Sequence, residues 1–304
     1  MSPTPAAVLQ SSREFCHEVA RRSRSSFYPA FALLPKAKRV AMESLYAFLR
    51  HTDDLGDAAA PINARRQALR RWRTLLCDAV EGVDVSGLAE SGDEPFVKLL
   101  PALTDAMRSY GISAVLLATV IDGVDMDVEG RTYETFDELS QYCHCVASAV
   151  GLACIKIWGC RGREVYGLAG DCGLAFQMTN ILRDLKEDAQ QGRVYLPQRE
   201  LAEFGYTADD LRAGVADERF ARLMAFQIDR ARRLYRSGAA LYDHLERDGR
   251  RIFGMMFSTY YALLQRIARQ SDAVLRGRVA LLRWRKAAIA ARWALLPPRR
   301  LAPP

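Results

Sequence analysis

The chain lacks the features that define several common protein classes. No stretch approaches about 18 uninterrupted apolar residues, so we expect no membrane-spanning helix. Residues 1–7 are proline-rich and charged residues follow them, which is unlike a secretory signal peptide. There is no internal repeat and no long low-complexity block. These absences favour a globular protein of the cytoplasm.

Frameworks built on cysteine and histidine are absent as well. The chain has seven cysteines, none in a C-x-x-C pair, and its four histidines are scattered. An odd number of cysteines without paired spacing argues against a zinc site and a disulfide framework, and it predicts free thiols in a reducing compartment. No G-x-G-x-x-G loop follows a predicted strand, so we do not expect the usual dinucleotide-binding motif.

Positive charge is concentrated at the C-terminal end of the chain. The whole chain carries +7, but residues 273–304 contain eight basic residues and no acidic ones. The remaining body is therefore close to neutral, which argues against a nucleic-acid-binding surface spread over the fold. We divide the chain into an all-helical domain of residues 1–272 and a basic amphipathic segment of residues 273–304.

Apolar residues alternate with the basic ones in this last segment. Leu282, Ile289, Trp293 and Leu296 fall on one face of a predicted helix, and tryptophan favours the membrane–water interface. This pattern predicts a peripheral, salt-sensitive contact with the inner face of the membrane. The alternative is a last helix that packs on the body and turns a charged face outward.

Almost all of the remaining sequence has helical periodicity. Segments with one apolar face predict long helices at residues 35–57, 134–159 and 165–189, and the Gly-, Ser- and Asp-rich stretch at residues 82–95 predicts a loop. No run of residues has the alternation typical of a strand. The fold class that fits is all-α, a single domain around a central cavity.

Two aspartate motifs carry the strongest functional signal. D-D-L-G-D contains Asp53 and Asp57, and N-I-L-R-D-L-K-E-D contains Asp184 and Asp188. Within each pair the residues are four apart, so on a helix both carboxylates lie on one face, one turn apart. At about 4 Å and an effective dielectric of about 20, each like-charge pair costs roughly 4 kcal/mol, so clustered carboxylates require cations. All-oxygen ligands of this charge predict Mg²⁺, with Mn²⁺ as an alternative, bound together with a diphosphate.

A polar stripe leads into the second motif. It runs along one helix face, with spacings of four, three, four and four residues, through Gly173, Gln177, Asn180, Asp184 and Asp188. Apolar residues cover the other faces of the same segment. A single acidic pair is ordinarily solvated surface charge, but two pairs and a polar seam on an apolar helix favour a ligand site.

Longer signatures surround these motifs. They are S-S-F-Y-P-A-F-A-L-L-P (residues 25–35), L-Y-A-F-L-R-H-T-D-D-L-G-D (45–57), Y-C-H-C-V-A-S-A-V-G (142–151) and G-L-A-F-Q-M-T-N-I-L-R-D-L-K-E-D-A-Q-Q-G-R-V-Y-L-P (173–197). Over about residues 14–270 the chain resembles the squalene/phytoene synthase family of head-to-head prenyl synthases. The resemblance implies the class I isoprenoid synthase fold and a prenyltransferase that acts on prenyl diphosphates.

The resemblance also implies roles for individual residues. The expected metal ligands are Asp53, Asp57, Asn180, Asp184 and Asp188. The expected substrate and diphosphate contacts are Ser25, Ser26, Phe31, Tyr46, Arg50, Gln177, Asn180, Arg183, Arg193, Tyr195 and Tyr260. Tyr142 is expected beside the reacting carbons, where it assists proton removal or orients diphosphate. The missing glycine-rich motif does not decide whether NADPH is used, because the reductive members of the family do not use that motif.

The chain length of the substrate is a separate question. We expect two farnesyl diphosphates (C15) to be joined to presqualene diphosphate, and on to squalene or dehydrosqualene, because Phe31 is bulky where a short tunnel needs a stop. The alternatives are a phytoene synthase that joins two geranylgeranyl diphosphates (C20), another class I terpenoid enzyme, and a non-catalytic assembly protein of the same fold. Glu43 departs from the aromatic residue common in relatives, and a carboxylate in a hydrocarbon tunnel is costly unless paired. The oligomeric state is not indicated.

Overall fold

The computed structural model describes residues 4–23, 28–83, 85, 97–297 and 301. Helices account for most of these residues, which form no strand beyond an isolated bridge between Cys160 and Leu245. The all-α prediction is confirmed. The chain divides into two compact units, one of the residues up to Glu129 with Leu152–Gly159, and one of Gly130–Gly151 with Cys160 onward. The division at residue 272 stays a prediction.

The first unit is organised around one long helix. Its helices are α1 (Pro5–Arg22), α2 (Tyr28–Phe31), α3 (Lys36–Gly56), α4 (Ile62–Glu81), α5 (Leu100–Tyr110) and α6 (Ala114–Glu129). Helix α3 packs against α1, α4, α5 and α6. Its Phe48 is fully buried and stacks on Trp72 of α4, with ring centroids 5.5 Å apart. This packing fixes α3, whose C-terminal end carries the first aspartate motif.

The later helices follow a second long helix. They are α7 (Phe136–Cys143), a π-helical turn (His144–Ser148), α8 (Ala149–Trp158), α9 (Val165–Gln190), α10 (Gln198–Glu203), α11 (Ala208–Ala213), α12 (Glu218–Ala239), α13 (Leu241–His244), α14 (Arg247–Arg269), a 3₁₀ turn (Ser271–Leu275) and α15 (Arg283–Leu295). Helix α9 packs against the π-helical turn and against α11, α12 and α14. It carries the second aspartate motif and agrees with the prediction to within one residue.

The helix predicted over residues 134–159 runs from Phe136 to Trp158 and contains a π-helical turn. The backbone N–H of Ala149 donates to the carbonyl of His144, which is the five-residue spacing of a π-helix. Next to it, Ser148 Oγ donates to the carbonyl of Gly170 in α9 at 2.8 Å. The predicted helix is present to within two residues at each end, and the π-helical turn is an additional feature, because periodicity does not reveal a single extra residue in a helical turn. Such turns are frequent at functional sites.

The C-terminal helix α15 is held through Trp293. This side chain is 2% exposed, and its Nε1 donates to Ser258 Oγ at 3.0 Å. Its ring lies directly over Gly254 of α14, where a Cβ would have no room. The expectation that Leu282, Ile289, Trp293 and Leu296 share one helix face is wrong, because Leu282 and Leu296 flank the helix and are 50% and 79% exposed, whereas Trp293 is buried. Within the described part of the chain, no helix is long and apolar enough to cross a bilayer.

Candidate functional site

The first aspartate motif lies at the C-terminal end of α3. The helix ends at Gly56, and the backbone N–H of Asp57 donates to the carbonyl of Asp53 at 2.9 Å. This bond places the two predicted ligands one turn apart, as their spacing indicated. Arg65 Nη1 of α4 donates to the carbonyl of Gly56 at 2.9 Å, and the Cα of Gly56 lies against Val124 of α6. The last turn of α3 is thus held from two sides.

The charges of this motif are not equivalent. Arg50 forms an ion pair with Asp54, and both side chains are about half exposed. That hydrogen bond raises the pKa of Arg50. The crowding of protein around Asp53 raises its pKa to about 7, against the lowering effect of Arg50 and with smaller contributions from Asp57, Asp54 and Asp127. Asp53 nevertheless exposes surface to solvent. It is a reachable carboxylate whose charged form a divalent cation would stabilise.

Two expected substrate contacts lie together in the first unit. Phe31 is 3% exposed and packs edge-on against Tyr46, with ring centroids 6.1 Å apart. Nearby on α3, Glu43 is buried and pairs with His17, whose Nδ1 lies 3.0 Å from Oε1. This partner offsets the cost of burying a carboxylate. Glu43 therefore has a structural role that the sequence comparison with relatives did not suggest.

The second motif begins with a cluster around Asn180. Its Nδ2 donates to Gln177 Oε1 at 3.2 Å, and its side chain also hydrogen-bonds the hydroxyl of Tyr260 on α14. Burial raises the pKa of Tyr260, so the hydroxyl keeps its proton, although nearby Arg183 opposes the shift. Tyr260 stacks on Phe176 with ring centroids 4.5 Å apart. Asn180 Oδ1 is buried and accepts no hydrogen bond from the described residues, which suits a cation ligand.

Two arginines hold Asp184. Arg183 forms a forked ion pair with it, with Nε 2.8 Å from Oδ1, and Arg278 Nε lies 3.1 Å from the same oxygen. Burial lowers the pKa of Arg183, but the hydrogen bond to Asp184 together with the negative charge of Asp184 outweighs this, and the net shift of the pKa is upward. Two guanidinium groups around one carboxylate leave an excess of positive charge, which suits a diphosphate. One turn on, the carbonyl of Asp188 accepts from the backbone N–H of Arg193 at 2.8 Å.

Three tyrosines form a stacked cluster in the second unit. The buried ring of Tyr142, near the end of α7, lies 5.3 Å from that of Tyr195 and 5.4 Å from that of Tyr133. The backbone N–H of Gln198 donates to the carbonyl of Tyr133 at 2.8 Å. The segment 191–197, which carries Tyr195, is therefore fastened at its far end beside the tyrosine cluster.

The position of α9 depends on a close approach at Gly173. A Cβ on this residue would lie 2.6 Å from Ser148 Cα, 2.8 Å from Ser148 N and 2.9 Å from the carbonyl carbon of Ala147. These are backbone atoms, so no side chain can rotate away. The small residues of the Y-C-H-C-V-A-S-A-V-G signature thus admit a helix. Gln177 and Asn180 follow one and two turns after this contact, which sets their positions.

The donor chemistry of the two aspartate motifs fits a magnesium ion whose shell is completed by waters and phosphate oxygens. Among the described residues, no three His, Cys, Asp or Glu side chains are gathered into a ready-made cluster. Mg²⁺ in phosphate-transfer sites commonly takes one or two carboxylates and completes its shell with waters and substrate oxygens. In the second unit, Asn180 Oδ1 and the arginine-held Asp184 are donors of that kind. In the first unit, the accessible Asp53 is one. Magnesium stays a prediction.

The structure groups most of the predicted residues. In the first unit the groups are Phe31 with Tyr46, and Arg50 with Asp53 and Asp57; in the second they are Gln177, Asn180, Arg183, Asp184 and Tyr260, then Asp188 with Arg193, and Tyr142 with Tyr195. Ser25 and Ser26 lie outside the described residues.

Sequence reasoning missed two residues of these groups. Arg278 belongs to the segment assigned to a basic tail, and no motif singles it out from the other arginines there. Tyr133 stands alone among polar residues, so its aromatic ring was the only available signal. Both reach the site through contacts between segments that are distant in sequence.

Comparisons with known proteins bear on the family to which the chain is similar. Residues 20–285 match the family model described as squalene/phytoene synthase. The chain is 32% identical to a 15-cis-phytoene synthase of Synechococcus elongatus, over 92% of this chain and 91% of that protein. It is 32% identical to a phytoene synthase of Arthrospira platensis, over 93% and 92%.

Solved structures show the same fold. A dehydrosqualene synthase superposes with a TM-score of 0.82 at 25% identity, covering 95% of this chain and 98% of that chain. The squalene synthase HpnC from Alicyclobacillus acidocaldarius superposes with a TM-score of 0.78 at 28% identity, covering 86% and 95%. The fold is therefore of the squalene synthase type.

Proposed function

The chain belongs to the squalene/phytoene synthase family of prenyltransferases, and we propose that it joins two geranylgeranyl diphosphates head to head to form phytoene. The observation that carries this proposal is that phytoene synthases align with nearly the whole chain. The prediction from the sequence that the substrate is farnesyl diphosphate rests on Phe31 as the floor of the substrate tunnel. Its ring packs against Tyr46, and that contact by itself sets no limit on chain length. The C20 alternative is therefore better supported than the C15 reading.

The second motif supplies the groups that would bind diphosphate. Arg183 and Arg278 converge on Asp184, and each planar guanidinium can donate two hydrogen bonds to phosphate oxygens. The protonated hydroxyl of Tyr260 is a further donor beside Asn180. When bound, Mg²⁺ or Mn²⁺ would neutralise the leaving diphosphate, and the residues proposed to hold it are Asp53, Asp57, Asn180, Asp184 and Asp188.

Aromatic rings would protect the allylic cation that ionisation leaves behind. A ring face near a cation contributes about 0.5–2 kcal/mol and excludes water. Phe176, stacked on Tyr260, and the buried pair of Tyr142 and Tyr195 are the candidates in the second unit. We assign Tyr142 to orient diphosphate or assist proton removal, and Arg193 to the binding of diphosphate.

The C15 reaction remains the second candidate function. It is favoured by the structural likeness to a dehydrosqualene synthase, which extends over most of both chains. The two candidates differ in substrate length, and a squalene product would add a requirement for NADPH.

One product assay separates the candidates. The purified protein is incubated with Mg²⁺ and either C15 or C20 diphosphate, with and without NADPH, and the extracted products are identified by mass. We expect phytoene from the C20 substrate without NADPH. A higher kcat/KM for the C15 substrate, with presqualene diphosphate, dehydrosqualene or squalene as the product, would replace the proposal. Asp184→Asn serves as the inactive control.

The cellular setting follows from the chemistry of such a reaction. Its prenyl substrates and its product are lipids that partition into membranes. We propose a cytoplasmic enzyme that touches the inner face of the membrane peripherally, through the basic segment after residue 272.

A further inference from the structure

The outer face of α15 carries an apolar stripe. Trp284, Ala288, Ala291 and Leu295 have spacings of four, three and four residues, which is one face of a helix. All four are exposed, Trp284 by 68% and Leu295 by 75%. Trp293 follows Trp284 by nine residues, which places it on the opposite side of the helix, where it is buried. Helix α15 therefore docks with one face and presents the other to solvent.

Exposed apolar surface is concentrated at this helix. Of the ten large apolar side chains that the described residues expose, four lie between Leu282 and Leu296. The other six are scattered along the chain, and single exposed apolar residues of that kind are normal. A contiguous patch on a helix face is different, because it marks a surface that another body covers.

Basic residues border the stripe. Arg283, Lys286 and Arg292 are exposed, and Arg285 is partly exposed. The segment 273–304 has eight basic residues and no acidic ones. A second copy of the same surface would be repelled by this charge, so the patch does not fit self-association. The partner must combine negative charge with an apolar interior.

We propose that the outer face of α15 docks on an anionic lipid bilayer. Trp284 and Leu295 would enter the interfacial region, and the flanking arginines and Lys286 would lie over the headgroups. Nucleic acid would satisfy the charges but gives no reason for an apolar stripe between them. The ring of Trp293 packs over Gly254 and so fixes the rotation of α15 about its axis, which determines that the stripe on the opposite side faces outward. The proposal rests on this surface and not on the identity of the substrate.

Substitution on the full chain tests this better than truncation. Removing the segment would uncover Gly254 and take Arg278 away from Asp184. The stripe variant combines Trp284→Gln with Leu295→Gln, both at exposed positions. The control combines Val115→Gln with Ile62→Gln, which removes exposed apolar side chains elsewhere.

Co-sedimentation with vesicles is the first measurement. With phosphatidylcholine vesicles containing phosphatidylglycerol, we expect wild type and control to bind, and the stripe variant to bind about tenfold more weakly or worse. Binding should fall with added salt and on vesicles of phosphatidylcholine alone. Equal binding by the stripe variant and wild type, or no binding by wild type, would overturn the proposal.

A charge variant tests the second half of the surface. Arg285→Gln, Lys286→Gln and Arg292→Gln together should remove the preference for anionic over neutral vesicles. A matched triple that neutralises exposed arginines elsewhere should keep it; the positions are Arg70, Arg108 and Arg222. Tighter binding of wild type to a labelled oligonucleotide than to vesicles, retained by the stripe variant, would favour nucleic acid and reject the bilayer.

Tryptophan fluorescence gives a readout on the unaltered protein. Of the four tryptophans, Trp72, Trp158 and Trp293 are buried and Trp284 alone is exposed. Quenching by brominated lipids should therefore reach Trp284 when anionic vesicles are added. Emission that brominated anionic vesicles leave unchanged would reject insertion of this face, whatever the variants do.

Discussion

Replacing Gly173 with alanine tests whether the close approach of α9 to the π-helical turn positions the second aspartate motif. The added Cβ would lie 2.6 Å from Ser148 Cα and 2.8 Å from Ser148 N. Carbon atoms in contact normally stay about 3.5–4.0 Å apart, so the helix and the turn must separate by about 1 Å. Gly167, on the same helix, has no atom within 4 Å of the corresponding position and is the matched control.

Two opposing contributions set the stability of these variants. Alanine is better than glycine in a helix interior by about 1 kcal/mol, and both variants gain this. Overpacking costs about 1–3 kcal/mol, and only Gly173→Ala incurs it. We expect Gly167→Ala to raise the free energy of unfolding by about 1 kcal/mol. Gly173→Ala should leave it unchanged or lower it by up to about 2 kcal/mol.

The effect on turnover should be larger than the effect on stability. Gln177 and Asn180 move with α9, and a misplacement of about 1 Å in a catalytic group costs about 100-fold in rate. Urea unfolding and kcat/KM with the preferred diphosphate measure the two effects. If Gly173→Ala equals Gly167→Ala in both its unfolding midpoint and its rate, the close contact does not position the motif and the reasoning fails.

Three further predictions concern other parts of the chain. Gly254→Ala should displace Trp293 and so lower the free energy of unfolding by about 2–4 kcal/mol. In a Trp293→Ala background the same change alters only helix propensity and should raise the free energy of unfolding by about 1 kcal/mol. Urea unfolding of wild type, the two single variants and the double variant measures the two effects. His17→Ala should lower the free energy of unfolding by about 1–3 kcal/mol, because the buried carboxylate of Glu43 loses its partner, and thermal and urea unfolding measure the loss. Excess chelator and Asp184→Asn should each abolish turnover while circular dichroism stays that of wild type, and added Mg²⁺ should rescue only the chelated wild type.

Each of these has a contradicting result. An equal loss from Gly254→Ala in both backgrounds would mean that the ring of Trp293 is not what the Cβ meets. An unfolding midpoint unchanged by His17→Ala would show that Glu43 needs no partner. Glu43→Gln can still hydrogen-bond His17, so it should lower the free energy of unfolding by less than His17→Ala does. Full activity in excess chelator would remove the metal from the reaction.

The sequence by itself determined the features that depend on neighbours along one helix. Helical periodicity gave the all-α fold and the limits of α9, because one buried stripe is enough to define a helix. The four-residue spacing of Asp53 and Asp57 placed them one turn apart, since a backbone hydrogen bond joins those two positions. The long signatures identified the family, whose members share those local patterns.

Only the tertiary structure decided which distant segments meet. Arg278 at Asp184, His17 at Glu43 and Tyr133 beside Tyr195 are contacts that no spacing in the sequence predicts. Their side chains resemble many others of the same type nearby, and it is the packing of the helices that brings them together.

The two tryptophans of α15 show the physical reason most directly. Trp284 and Trp293 lie on the same short basic helix, and periodicity does not distinguish them. Gly254 of α14 leaves a gap that one indole ring fills, and Ser258 accepts a hydrogen bond from it there. Trp293 meets that gap and is buried, so Trp284 is turned to the solvent. The sequence specifies which residues are apolar, but the shape of the surface that receives them decides which one is covered.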